Sequence, residues 1–171
     1  MLNDFPAADE MTSEWLTHQL HANGIEADVI GFDSQAIGTG QIGKCIRYTL
    51  SYAPGHSGPA TLIGKFPSDD ETSRATGVAL RNFIKEVRFY QHLQDRLSIR
   101  TPRCFFAEIE GEGPRFLVLM EDLTPAVQGD QLQGCSPRVA QAAVAELVGL
   151  HAPSWCDDSL KGLDWLYDDN A

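Results

Sequence analysis

The sequence predicts an α+β fold: an antiparallel sheet carrying one long helix, followed by helical structure. Two observations lead there. Residues 45–52 alternate apolar and polar side chains with a period of two, the pattern of a half-buried strand. Residues 75–95 instead place apolar side chains at helical spacing. With 43 % hydrophobic and 22 % charged residues the composition is globular rather than disordered.

The elements follow in order. A first helix runs from about Thr12 to His21, capped by Thr12 or Ser13, with Trp15, Leu16 and Leu20 as its apolar side and Asn23-Gly24 as its end. A glycine-rich loop precedes the alternating strand. On that strand Ile46, Tyr48, Leu50 and Tyr52 share one face, and Cys45, Arg47, Thr49 and Ser51 the other. Pro54 to Gly58 is a turn and Ala60 to Phe66 a second strand, so the two form an antiparallel hairpin. After the long helix, Cys104 to Glu108 and Arg115 to Met120 are two more strands, joined by Glu110-Gly111-Glu112-Gly113. Ser136-Pro137 then starts a last helix reaching about His151, with Val139, Ala143, Val144, Leu147 and Leu150 as its stripe. The character changes near Leu123, dividing the chain into 1–123 and 124–171. The acidic end after Pro153 has tryptophans but no periodicity.

Thirteen basic against 24 acidic residues give a net charge of −11, which repels nucleic-acid backbone and anionic membrane. No apolar run is long enough to cross a bilayer and no leader pattern opens the chain, so neither nucleic acid nor membrane is an expected partner and a cytoplasmic location is expected. The four cysteines, Cys45, Cys104, Cys135 and Cys156, lack zinc-ligand or redox spacing and read as reduced thiols.

The loop Gly38-Thr39-Gly40-Gln41-Ile42-Gly43 fits three phosphate-binding patterns. It is the G-x-G-x-x-G of dinucleotide folds and of protein kinases. Extended to Lys44-Cys45 it is one residue short of a Walker A motif, which needs a hydroxyl where Cys45 stands. Dinucleotide and Walker loops lead into a helix. Here the loop leads into a strand, leaving a glycine flap between two antiparallel strands, whose backbone amides can approach phosphate oxygens.

Lys65 lies inside an otherwise apolar strand, where an ammonium without a partner is costly. Glu86 offers the partner. It lies three residues after Phe83, three before Phe89 and four before Tyr90, so it borders the apolar stripe of the long helix. A helix packed on the sheet brings Glu86 to Lys65.

These residues resemble a known family, the aminoglycoside phosphotransferase and choline-kinase-like enzymes, relatives of the protein kinases. The glycine loop, GKFP around Lys65, EVRFYQHL around Glu86, FLVLMEDL at 116–123, GDQLQGCS and ELVGLHAPSW match in order over roughly residues 12 to 156. The resemblance implies a protein-kinase-like N-lobe over 1–123 and the start of a helical C-lobe, truncated, over 124–171. It implies ATP and magnesium as cofactors. Gly38, Thr39, Gly40 and Gly43 would cover the phosphates, Lys65 would hold the α and β phosphates, and Glu86 would pair with Lys65. Met120, Glu121, Asp122 and Leu123 would form a hinge whose backbone bonds adenine.

The family's His-Gly-Asp catalytic loop does not occur in the sequence, and Asp164 to Asn170 imitates it only superficially. No catalytic residue or metal ligand is assigned, and the chain alone is expected not to transfer a phosphoryl group. The function implied is an ATP-dependent phosphotransferase acting on a hydroxyl of a small molecule. The alternative is an inactive nucleotide-binding or scaffold module. Self-association through Val144, Leu147 and Leu150 is expected. Glu14, His18 and His21 share a helix face at metal-ligand spacing but read as a solvated face.

Overall fold

A computed structural model describes residues 5–38 and 42–166. It shows an α+β fold with a five-stranded antiparallel sheet and four α-helices among those residues. The strands are β1 (Val29–Ile37), β2 (Gly43–Tyr52), β3 (Thr61–Pro67), β4 (Cys104–Ile109) and β5 (Phe116–Glu121), in the order β1-β2-β3-β5-β4. The hairpin from β2 to β3 pairs Cys45 with Lys65 and Arg47 with Ile63. The central position of β3 brings Lys65 beside Val118 and Ile63 beside Met120 on β5.

The alternation along β2 sorts its side chains as the sequence implies. Ile46, Tyr48, Leu50 and Tyr52 join a core with Leu62, Phe66, Leu117 and Leu119, covered by α1 (Ser13–Ala22) through Leu16 and Leu20. The Thr12 hydroxyl caps α1 by accepting from the Trp15 amide, and Gly24 leaves the helix at φ +77°, a backbone region that favours glycine. The opposite face is also covered. Cys45, Ile63, Val118 and Met120 pack there against Phe83, Ile84 and Val87.

The helix expected as one piece over 75–95 is broken. Asp70 caps α2 (Glu71–Ala79), Arg81 adopts the left-handed conformation at φ 55°, and α3 (Asn82–Arg88) follows on a new axis. A single π-helical turn over Phe89–Leu93 and a short 3-10 turn over Gln94–Arg96 complete the segment. Tertiary packing overrides helix propensity here. Phe83 stacks on Phe116 at 4.8 Å and tucks beneath α2, where a Cβ on Gly77 would lie only 2.3 Å from the ring.

α4 (Pro137–Ser154) starts at Ser136 as expected, and none of its residues is buried. It meets the sheet body closely where the Ser98 amide donates to the Gly149 carbonyl at 2.9 Å. The following tail returns to the body: Trp165 is 6 % exposed and packs with Leu163 and Leu166 beside α3. No helix among the described residues is long and apolar enough to cross a membrane.

Candidate functional site

Strand alternation and helix periodicity converge on one ion pair. β3 aims Lys65 at the face covered by α3, and α3 aims Glu86 back at the sheet, so Nζ donates to Oε1 at 2.6 Å. Glu86 is the one hydrogen-bond acceptor of Nζ among the described residues. An ammonium has three N–H donors, and the two side chains keep 30 % and 26 % of their surface exposed. Lys65 is therefore held in place yet has donors left for an anionic ligand.

Gly43 shapes the approach. A Cβ there would come 3.0 Å from the Phe66 carbonyl oxygen and 3.5 Å from Lys65 Cε, so a glycine lets the β2 backbone close over the lysine stem. Gly38, at φ +75°, ends β1 in a conformation that favours glycine, with open space around it. Thr39 and Gly40, between them, lie outside the described residues.

The rest of the site is built from neighbours by register. Cys45 faces Lys65 across the strand pair; burial pushes its thiol up, Lys65 pulls it down less strongly, and Glu86 adds to the rise. That direction disfavours the thiolate, the nucleophilic form. Tyr90, one helical turn past Glu86, donates toward Met120 Sδ at 3.7 Å. Burial, then the charge of Glu86 and the nearby Cys104 and Cys45, push its phenol up to about 12. Met120 thus stands on the Lys65 side of the sheet, two positions along β5 from Val118.

The carboxylates of Glu121 and Asp122 are both held by arginines. Glu121 accepts from the Arg103 amide at 3.0 Å and pairs with Arg100 at 2.7 Å, and these contacts hold its carboxyl below the usual range. Asp122, only 5 % exposed, takes a two-pronged grip from Arg47, at 2.5 Å from Nε and 3.2 Å from Nη2. Burial pushes its carboxyl up, but hydrogen bonds from Arg47, Thr61 and the Thr124 amide outweigh that and leave it lowered. Leu123 follows as an exposed side chain, 44 % accessible.

The structure therefore brings Gly43, Lys65 and Glu86 together, sets Met120 on the same face of the sheet, and ties the Glu121 carboxylate to the Arg103 amide and Arg100. Cys45, Tyr90 and the Arg47–Asp122 clamp escaped the sequence reading. Same-parity position on β2 would have found Cys45, and the i+4 offset from Glu86 would have found Tyr90.

Away from this face, Glu14, His18 and His21 do not converge: His21 pairs with Asp28 at 3.1 Å and His18 touches Gln19. Among the described residues no group of three His, Cys, Asp or Glu side chains could hold a metal ion. Asp157 caps the 3-10 turn Asp158–Gly162, and Asp158 pairs with Lys161. Asp168, Asp169 and Asn170 lie outside the described residues. Comparison of the sequence with protein-family models and with curated proteins finds no match.

Proposed function

We propose that this chain carries the nucleotide-phosphate half of a kinase-like, ATP-dependent phosphotransferase that acts on a hydroxyl of a small molecule. The observation that carries the reading is the Lys65–Glu86 ion pair beside Gly43, the last residue of the glycine-rich stretch and the first of β2. Glu86 fixes the ammonium without burying it, and the remaining donors suit the α and β phosphate oxygens of ATP. Met120 and the backbone to Leu123 would border the base. The described residues offer no magnesium site of their own, so the metal would be held by the phosphates and by residues outside them.

A second reading, an inactive nucleotide-binding or scaffold module, is favoured by the absence of a His-Gly-Asp motif from the sequence, the motif whose Asp would take a proton from an acceptor hydroxyl.

The test is MgATP titration of the chain and of Lys65→Ala, with circular dichroism to confirm that both are folded. Loss of charge-assisted hydrogen bonds of about 1.5–3 kcal/mol should weaken binding by about ten- to a hundredfold. No binding by either folded protein would overturn the phosphate site and leave the scaffold. The chain alone should show no turnover with ATP and a broad set of hydroxylated acceptors.

A further inference from the structure

On the face of the sheet away from Lys65, a cleft of about 630 Å³ opens between the end of α1, the start of β3 and the end of β5. That volume falls within the span of about 300–1,000 Å³ common to small-molecule sites. Its floor is apolar: Leu62 is fully buried, Phe105 is 8 % exposed, and Ile25 packs against the same core. Its rim carries Arg100, Arg103, Glu121 and Asp122.

The charges on this rim do not cancel. Arg47, outside the cleft, neutralises Asp122 through its two-pronged grip. Arg100 pairs with Glu121, whose carboxyl stays ionised. Arg103 remains. It donates to the neutral Asn23 carbonyl at 2.7 Å and lies over the Phe105 ring at 4.9 Å; its charge helps to lower the Glu121 carboxyl, already paired with Arg100, but it makes no ion pair of its own with a carboxylate among the described residues. Two guanidiniums against one carboxylate leave one net positive charge, on a chain whose total is −11. Stacking on Phe105 also pre-positions that guanidinium at the mouth of the apolar floor.

We propose that this cleft is a second binding site, separate from the Lys65 face, for a small aromatic anion. The apolar body would lie on Ile25 and the exposed edge of Phe105, and the acidic group would meet Arg103. The proposal stands on the cleft alone and does not depend on the nucleotide reading.

The test uses 2-naphthalenesulfonate as the probe and the neutral 2-naphthalenesulfonamide as its near-isostere. Amide chemical shifts of the ¹⁵N-labelled chain are followed by NMR during each titration. The sulfonate should perturb Ile25, Thr61, Arg103 and Phe105, and the sulfonamide should bind about tenfold more weakly. Arg103→Gln, an exposed change, should remove that preference. Ala60→Trp, at the rim, should fill the cleft and abolish the shifts. Equal binding of the two probes, perturbations confined to residues 144–155, or no perturbation at all would each overturn the assignment.

Discussion

Helices α3 and α4 make opposite use of apolar sequence. α3 spans seven residues and buries Phe83, Ile84 and Val87 against the sheet, while α4 spans eighteen and buries none. Yet α4 has the longer apolar stripe, and Val139, Val144 and Val148 are each more than half exposed, as is Trp155 just past its end. The contrast teaches that periodicity states a helix's need for a partner, whereas burial depends on whether a partner surface lies within reach. α3 finds Phe116 and Val118 across from it. α4 meets the body at the turn after Arg96 and leaves its apolar side open.

The same substitution in the two helices should separate them most widely. Val87→Ala removes two buried carbons from a site with no exposure and should cost about 2 kcal/mol after the better helix propensity of alanine is credited. Val144→Ala, at 65 % exposure, should be neutral or stabilising by a few tenths of a kcal/mol. Urea unfolding of both variants checks this. A loss at Val144 comparable with that at Val87 would mean that α4 is packed in solution, as self-association through its open face would require.

Asp122→Asn tests whether the sheet body depends on its polar clamp as well as its core. The buried carboxylate should cost about 1–2 kcal/mol when replaced. The pH dependence has a definite sign. Its folded pKa lies below the ordinary value of about 3.9, so its contribution is complete above that value. It is lost as pH falls through the folded pKa, because the unfolded chain takes up the proton first. The variant should therefore show a shallower loss of stability below about pH 4 than the parent does. Parallel acid limbs would remove Asp122 from the account.

Gly149→Ala probes the close attachment of α4 to the residues after Arg96. A Cβ there would lie 2.5 Å from the Ile99 amide nitrogen, which is backbone and cannot swing aside. Overpacking of about 1–3 kcal/mol, partly offset by propensity, should pry the helix off. Amide exchange over 137–154 should rise while the strands keep their protection. Unchanged exchange would show that the contact is looser than 2.5 Å implies.

The candidate site was legible where one period governed each partner. Period two set the direction of Lys65 and period 3.6 that of Glu86, so their meeting followed once a helix lay on that face. The clamp on Asp122 was not legible, for a complementary reason. Its partner Arg47 is 75 positions away, and nothing local distinguishes a buried acid at a strand end from a solvated one.

By itself the sequence determined which side chains of β2 share a face through alternation, and the starts of α1 and α4 through Thr12 and Ser136. These are local effects, written in neighbouring side chains and caps. Tertiary structure alone decided the break at Arg81, the return of Trp165 to the core and the exposure of α4. Each of these depends on which distant surface a segment meets, and on whether the packing gained there outweighs the local preference of the chain.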